Sequence, residues 1–289
     1  MRRSIAVVLC VLASRLSQAQ TLTPRGAPVS VAGATAVSIS NMLGYIRVEG
    51  WDKDSVAFAT GPSVLFTIVR DADGEIRISV ELVDKGLGHA DILVRVPRNV
   101  RVNVDGNQTK IDVSGLTGRV DIDAGVSGDI KVTGTPSELN IESAQSDLDL
   151  QVTTPYLRAH TRSGRIRWTG SSDDVLLSTV INGIAIKSES VGRGRFESTS
   201  GDIHFSGGVT PRASIVFETH SGDITADFAK GTQAEVIVSG AVMDLFGQHA
   251  TLQPDPAAMG SLKKQIGASH DAVVTLRSFK GRVSTTLVP

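Results

Sequence analysis

Apolar side chains recur at every second position in short runs along most of this chain. Ile130 and Val132 form one such pair, and Ile166 and Trp168 form another. Because a β-strand places every second side chain on the same face, each pair predicts a short strand with one buried face. Similar pairs begin nine or ten residues apart at Val102/Val104, Ile111/Val113, Val120/Ile122, Leu139/Ile141, Leu148/Leu150, Leu157/Ala159, Val175/Leu177 and Ile184/Ile186.

A turn phrase of the type Ser-Gly-Asp-Ile precedes every second strand of the middle region. The phrases end at Ile130, Leu148, Ile166, Ile184, Ile203 and Ile224, which gives spacings of 18, 18, 18, 19 and 21 residues. A chain that turns back every nine residues can stack equivalent strands into two facing sheets and bury their apolar faces between them. The period predicts an all-β, two-sided β-solenoid with about 18 residues per coil and parallel, in-register strands, of undecided handedness.

The repeat is less regular toward both ends of the sequence. Apolar pairs ten residues apart continue through residues 20–90, which we interpret as the start of the same structure or as a small separate β subdomain. The regular solenoid is predicted over residues 91–289. Within it, residues 240–267 lack the two-residue alternation, so we expect an irregular insertion or a cap there.

The first 19 residues have the features of a secretory signal peptide. Arg2 and Arg3 precede an apolar stretch over residues 5–13, and a small-x-small sequence ends at Ala19, where we expect cleavage. The protein is therefore predicted to be exported to the periplasm, the cell surface or the exterior, and no segment of the mature chain is apolar enough to span a membrane. The single cysteine, Cys10, would be removed with the signal peptide.

Composition agrees with short strands and excludes one class of partner. The sequence has 29 glycines and 4% aromatic residues, which suits strands joined by tight turns. The formal net charge is -1 with acids and bases interspersed, so no nucleic-acid partner is expected. Corner positions that need a positive φ or a close approach of two backbones are predicted at Gly128, Gly164, Gly201 and Gly222.

Three phrases of the sequence resemble a bacterial family of exported strand-repeat proteins that bears an adhesin label and has no established function. They are GYIRVEGWDKDSV from Gly44, ADILVRVPRNVRVNV from Ala90, and the repeated SGDI turns. The resemblance extends from about Gly44 to the end of the chain. It implies an exported β-solenoid and supplies no catalytic or binding residue.

Stacking in register would bring charged residues of neighbouring coils together on the outer faces. The 18-residue offset predicts a row formed by Lys131, Asp149 and Arg167, and it places Asp147 beside Arg165. It also places Glu142 beside His160. Such pairs contribute about 0.2–1 kcal/mol each, so we expect them to support the register of the strands.

No catalytic, cofactor-binding or metal-binding residue can be assigned from the sequence. Outer-face acids are numerous, the two arginines of residues 191–195 are expected on a flexible turn, and neither a nucleophile elbow nor a phosphate-binding loop is present. The histidines lack metal-ligand spacing. The acids considered are Asp121, Asp123, Asp129 and Asp147, and the histidines are His89, His160, His204, His220, His249 and His270.

These observations favour a non-enzymatic envelope protein that binds a surface, a polymer or another envelope protein, without a cofactor. One alternative is a polysaccharide lyase or hydrolase, because solenoids of parallel strands also carry such enzymes, although usually with larger coils and longer loops. A second alternative is a scaffold that assembles end to end, since an uncovered terminal coil exposes unpaired backbone groups. Residues 21–40 and 240–267 are the candidate caps.

Overall fold

The computed structural model describes residues 29–60, 64–82, 89–126, 128–251, 260–268 and 271–288. All of the regular secondary structure in these ranges consists of β-strands, which confirms the all-β prediction. The strands are β1 (Val29–Ser30), β2 (Ala36–Trp51), β3 (Ser55–Thr60), β4 (Val64–Arg70), β5 (Glu75–Leu82), β6 (Ala90–Pro97), β7 (Arg101–Ser114), β8 (Arg119–Ala124), β9 (Ile130–Gly134), β10 (Glu138–Ser143), β11 (Leu148–Val152), β12 (Thr154–Thr161), β13 (Ile166–Thr179), β14 (Ile184–Ser198), β15 (Ile203–Gly207), β16 (Ser214–Thr219), β17 (Ile224–Ala229), β18 (Ala234–Ser239), β19 (Val242–Leu245), β20 (Gln248–Thr251), β21 (Ser261–Ile266), β22 (Val273–Ser278) and β23 (Arg282–Val288).

The strands pair into two ladders, and over the parallel strands the chain alternates between them. The first ladder contains β4, β5, the first half of β2, the first half of β7, β8, β10, β12, the second halves of β13 and β14, β16, β22, β18 and β21. The second contains β3, β6, the second halves of β2 and β7, β9, β11, the first halves of β13 and β14, β15, β17, β23, β19 and β20. A coil is one first-ladder strand with the second-ladder strand that follows it.

Equivalent residues of successive coils lie beside one another. In the second ladder Leu148 pairs with Ile130 on one side and with Ile166 on the other, and Ile166 pairs with Ile184. All four side chains are buried. The predicted stack of these residues is therefore confirmed, because each central coil uses 18 residues before the chain returns to the same ladder.

The inward side chains of the two ladders pack together in one hydrophobic core. The core extends from Val37 to Val283 in the sequence. Phe205 of the second ladder lies against Phe217 of the first, with ring centroids 5.3 Å apart, and Phe217 stacks on Phe196 at 4.9 Å. Large aromatic side chains bury much apolar surface, so the contact between Phe205 and Phe217 across the interior joins the two ladders.

A buried hydroxyl closes the corner at the end of several first-ladder strands. Thr219 Oγ1 donates to the carbonyl oxygen of Gly201 in the neighbouring coil (3.2 Å) and accepts from the amide of Gly222 (3.1 Å). Buried backbone groups need hydrogen-bond partners, and the Thr219 hydroxyl supplies one to the Gly201 carbonyl and one to the Gly222 amide. Equivalent pairs of bonds are made by Thr161, Ser198 and Ser278.

Close approach of two backbones explains three of the four predicted corner glycines. A β-carbon on Gly222 would lie 2.1 Å from the carbonyl oxygen of Gly201, and Gly164 and Gly201 are equally restricted. None of the four has a positive φ. A β-carbon on Gly128 would make only ordinary van der Waals contacts, the nearest at 3.4 Å. Neither a positive φ nor a close approach of two backbones therefore requires glycine at this position.

At both ends the order of the coils in space differs from their order in the sequence. β2 lies between the coil of β5 and β6 and the strand β7. Likewise β22 and β23 lie between the coil of β16 and β17 and the coil of β18 and β19. The first long strand and the last two strands are thus hydrogen-bonded along both of their edges.

Antiparallel strands cover both ends of the stack, so the prediction of parallel strands throughout is wrong. β3 and β4 pair antiparallel with β6 and β5, and β21 and β20 pair antiparallel with β18 and β19. A tight hairpin places two consecutive antiparallel strands side by side, as in β4–β5 and β19–β20, whereas a parallel partner needs a long crossover. β20 and β21 fall within residues 240–267. At the N-terminal end β3 and β4 are the covering strands, and β1, which lies within residues 21–40, pairs antiparallel with β3.

β14 runs without interruption through residues 191–195, so the prediction of a flexible turn there is wrong. Gly194 occupies an inward position in register with Val175 and Ile215. The ring of Phe196 packs over it, and a β-carbon on Gly194 would lie 2.7 Å from that ring. The glycine therefore makes room for a neighbouring aromatic side chain and does not end the strand.

Part of the sequence-based interpretation lies outside the described residues. This applies to the signal peptide over residues 1–19, to Cys10 and to His270. Within the described ranges, no helix is long and apolar enough to cross a bilayer.

Candidate binding surface

A shallow groove of about 440 Å³ lies on the outer face of the first ladder, near its N-terminal end. It is formed by adjacent strands from β5 to β10, whose outward side chains are mostly hydroxyls, amides and carboxylates. Because outward residues alternate with buried ones, the groove has two parallel rows of polar groups. The first row is Arg77, Ser38, Asn103, Asp121 and Asn140, and the second is Ser79, Ser40, Asp105, Asp123 and Glu142.

Ion pairs and hydrogen bonds occupy the first row, which we call the paired row. Asp121 accepts from Arg101 and Arg119, each at 2.9 Å, and from the side-chain amide of Asn140 at 2.9 Å. Partial burial would raise the pKa of Asp121, but the hydrogen bonds from Arg119 and Asn140 and the nearby guanidinium charges outweigh it and hold the pKa below its usual value. The carboxylate is thus fixed in its charged form.

The paired row continues toward the end of the ladder through Ser38. Its hydroxyl donates to the carboxylate of Glu75 and accepts from the amide of Asn103 at 2.8 Å. The bond from Ser38 and the ion pair with Arg77 (2.8 Å) lower the pKa of Glu75. Every charged group of this row therefore has a partner of opposite charge within the protein.

The second row, which we call the open row, contrasts with the first. Asp105, Asp123 and Glu142 lie on three adjacent strands in register and are all exposed. Among the described residues, none of these three carboxylates has an ion pair or a hydrogen bond. Like charges side by side on neighbouring strands are unfavourable, so this row does not stabilise the fold and its acceptors are available to a ligand.

The predicted charge row on the second ladder is present in register. Asp149 pairs with Lys131 on one side and with Arg167 on the other. Arg167 lies 4.0 Å from Asp147 rather than in contact with Asp149. Asp147 also accepts a hydrogen bond from the backbone amide of Arg165 at 2.7 Å, so this corner aspartate joins two coils.

The structure separates the acids considered as catalytic candidates. Asp121 and Asp123 lie on the first ladder, whereas Asp129 and Asp147 lie at corners before second-ladder strands. The two pairs are therefore on opposite ladders, with the core between them. Asp123 is the one candidate of the four that belongs to the open row.

The described histidines lie on different strands and corners. His160 is in register with Glu142, and its Nδ1 lies 2.8 Å from the hydroxyl of Ser178. The Nε2 atom of His204 lies 3.7 Å from the carboxylate of Asp227, so the two side chains form at most a weak pair. His89 and His249 lie near Asp91 and Asp244. No group of three or more histidine, cysteine or acidic residues that could hold a metal is found in the described part of the chain.

Neither arginine of residues 191–195 is free in the described structure. Arg193 forms an ion pair with Asp174 at 3.0 Å, and Arg195 pairs with Glu197. Both side chains lie on the outer face of the first ladder, where they bind strand neighbours. They therefore lie on a regular strand and are held in ion pairs, in contrast to the flexible turn expected from the sequence.

Sequence reasoning missed most of the groove. On the first ladder the 18-residue offset predicts only the neighbours Glu142 and His160, but the same offset links Arg101 with Arg119 and Asn103 with Asp121. Extending it to the outward residues of the first ladder would have revealed both polar rows. The contribution of Ser38 and Glu75 could not be found in this way, because β2 and β5 pair out of sequence order.

Comparison with curated proteins finds no match to the chain. Among solved structures, the chain is similar to a "putative cell adhesion protein" from Clostridium sporogenes, with 7% sequence identity, a TM-score of 0.29, and coverage of 91% of this chain and 97% of that one. The sequence model of the Toastrack DUF4097 family matches residues 69–275, well over half of the chain. This protein therefore belongs to the Toastrack DUF4097 family, a family of domains of unknown function.

Proposed function

We propose that this protein is an exported two-sided β-solenoid that acts as a non-enzymatic binding module of the cell envelope, in the manner of an adhesin. The observation that carries the proposal is the groove on the first ladder, in which the exposed carboxylates of Asp105, Asp123 and Glu142 have no partner among the described residues, beside a row whose charged groups are all paired. The ligand class is a surface polymer or an envelope protein.

The alternation of the chain between two ladders supports the solenoid description. Partners 18 residues apart, such as Leu148 and Ile166, recur through the centre, and one core lies between the ladders. A stack of this kind is rigid along its length, because each coil is hydrogen-bonded to both neighbours. A rigid face with outward polar rows suits contact with an extended ligand.

The open row supports binding more than structural stabilisation. Asp105 and Asp123 face each other across adjacent strands about 4.8 Å apart, a spacing at which like charges repel. A purely structural face would pair opposite charges, as Asp121 of the paired row does by binding Arg101 and Arg119. Unpaired acceptors on a rigid face can instead receive hydroxyl, amide or ammonium donors of a ligand.

The electrostatics of the groove argue against general-acid catalysis. A carboxylic acid that protonates a leaving group needs a raised pKa, and glycosidases obtain this by burial away from cations. Asp121, the acid most enclosed by this surface, is bound by two arginines, and its pKa is lowered. We therefore propose that the protein binds its ligand without cleaving it. An assay of reducing-sugar release tests this, and detection of released sugar would contradict the proposal.

The covered ends argue against end-to-end assembly. β3 and β4 lie over one end and β20 and β21 over the other, so the last parallel strand of each ladder already has a partner. We propose that the protein acts as an individual rod. Light scattering of the mature chain over a hundredfold concentration range tests this, and a mass that rises with concentration would contradict it.

The experiment that tests the binding role compares two triple variants of equal charge change. The groove variant is Asp105→Asn, Asp123→Asn and Glu142→Gln. The control replaces three exposed aspartates that make no side-chain bond to described residues, Asp54, Asp73 and Asp173, with asparagine. Both are mixed with isolated cell-envelope fractions and sedimented, and the bound fraction is measured against protein concentration.

We expect the unmodified chain to bind saturably, the groove variant to bind at least tenfold more weakly, and the control to bind as the unmodified chain does. Equal weakening by both variants would show a general charge effect and would reject the groove. Absence of saturable binding by the unmodified chain would reject the proposed function as a whole.

A further inference from the structure

A second concave surface lies at the C-terminal end of the first ladder, at the corner that follows β16 and β22. Its volume is about 690 Å³. The residues that directly follow the buried corner hydroxyls form an exposed edge there. The backbone amide of Phe279 donates to the carbonyl oxygen of Thr219, and the backbone amide of His220 donates to the carbonyl oxygen of Thr199 in the preceding coil. This places the side chains of His220 and Phe279 on neighbouring coils at the surface.

Two stacked rings form one wall of this surface. His220 and Phe279 have ring centroids 5.1 Å apart and an interplanar angle of 11°. Phe279 remains 46% exposed, although a large apolar side chain is usually buried. His220 stacks on one face of the Phe279 ring, and the strand on the other side of β22 ends at Ser239, which is followed by the small residues Gly240 and Ala241.

Polar groups form the floor beside the rings. Glu197, Glu218, Arg277 and Ser239 occupy successive positions on four adjacent strands and continue the open row of the first ladder. Arg195 binds Glu197 and lies 3.8 Å from Glu218. The guanidinium of Arg277 has no ion pair or hydrogen bond with any described residue. Two carboxylates and two guanidiniums balance, so the local field favours neither a cationic nor an anionic ligand.

We propose that this surface is a subsite for a neutral saccharide unit of an envelope glycan. The apolar C–H face of a sugar ring packs on the free face of Phe279, where the negative face of the aromatic quadrupole meets weakly positive hydrogens. The sugar hydroxyls donate to Glu218 and accept from Arg277. A concave site with one apolar wall and a few fixed polar groups is the arrangement that orients a small ligand unit.

The subsite rests on the proposed binding function and names its ligand class. The register of the open row continues from Asp105 through His160 and Glu197 to Arg277 across seven strand intervals, a distance of about 34 Å. A linear glycan anchored at Phe279 could therefore extend along the same face toward the groove. A peptide with an aromatic side chain is the competing ligand, and it is included in the test.

The test measures binding of soluble oligosaccharides to the mature chain by titration calorimetry and by saturation-transfer NMR. The probes are neutral hexasaccharides of glucose, mannose, galactose or N-acetylglucosamine, a cationic glucosamine hexamer, an anionic galacturonate hexamer and a Trp-containing peptide. The variants are Phe279→Ala, Phe279→Tyr and the control Leu287→Ala, which removes another exposed apolar side chain, 55% exposed, from the second ladder.

We expect one or more neutral hexasaccharides to bind, with saturation transfer to sugar C–H protons from aromatic resonances. Phe279→Ala should weaken binding at least tenfold, while Phe279→Tyr and Leu287→Ala should change it less than twofold. Unchanged affinity of Phe279→Ala, or tighter binding of a charged hexamer or the peptide, would overturn the subsite. If no neutral hexasaccharide binds but the chain still binds envelope fractions, the saccharide subsite is wrong and the proposed binding function stands. If the chain binds neither, both the subsite and the proposed function are rejected.

Discussion

Replacement of Thr219 by valine tests whether buried corner hydroxyls hold neighbouring coils together. Thr219 is 2% exposed, and its hydroxyl bridges the Gly201 carbonyl and the Gly222 amide. Valine preserves the shape but removes both bonds. The Gly222 amide and the Gly201 carbonyl left unpaired cost about 1.5 kcal/mol each, and the additional buried methyl group returns about 0.8 kcal/mol. We therefore expect a net loss of about 2 kcal/mol in the free energy of unfolding.

The matched control is Thr199→Val, at an exposed position of the equivalent corner in the preceding coil, whose hydroxyl makes no bond to described residues. For a chain of this size, about 2 kcal/mol corresponds to a melting temperature lower by about 4–8 °C. Thermal unfolding followed by far-ultraviolet circular dichroism measures the shift, and hydrogen exchange of the Gly222 amide reports the corner itself. If Thr219→Val and Thr199→Val melt together and exchange alike, the hydroxyl has no structural role and the reasoning fails.

Three further predictions follow from the corners, the paired row and the N-terminus. Gly222→Ala should destabilise the protein by about 1–3 kcal/mol in urea unfolding, because its β-carbon would meet the neighbouring backbone, while Gly128→Ala should change stability by less than about 0.5 kcal/mol. Asp121 has a lowered pKa in the folded protein, so its stabilisation is complete above the unfolded value of about 3.9 and is lost as the pH falls through the folded value. Asp121→Asn should therefore melt earlier than the unmodified chain at pH 7 and lose less stability between pH 5 and pH 3; equal acid sensitivity would count against the ion-pair assignment. Mass spectrometry of the secreted protein should find Gln20 as the first residue, and an intact N-terminus would contradict the signal peptide.

The stack of apolar residues was predictable because it depends on local periodicity. Ile130 and Leu148 are both inward residues of short strands, and a constant 18-residue spacing leaves one register in which their faces match. The outer pairing of Lys131 with Asp149 followed from the same register. The corner hydroxyls were visible in the sequence as a serine or threonine three residues before a corner glycine, as in Thr161 and Gly164, but this part of the repeat was not recognised.

The errors about the turn at residues 191–195 and about strand direction have a common cause in local sequence signals. Gly192 and Gly194 resembled a turn, yet the Phe196 ring fills the space beside Gly194 and the strand continues. The antiparallel strands at each end have the same two-residue alternation as the parallel ones. Alternation identifies the buried face of a strand, but it carries no information about the direction of the strand beside it.

The sequence by itself determined that the chain is all-β, that its inward residues stack with an 18-residue period, and which faces are polar, because each of these follows from periodicity within one coil. Only the tertiary structure decided which coils are neighbours at the two ends. Ile224 pairs with Val283, 59 positions away, so the last coil lies inside the stack and not at its end. The groove and the Phe279 surface both depend on such distant pairings, since a ligand surface is composed of residues from several strands and their adjacency is set by packing across the whole chain.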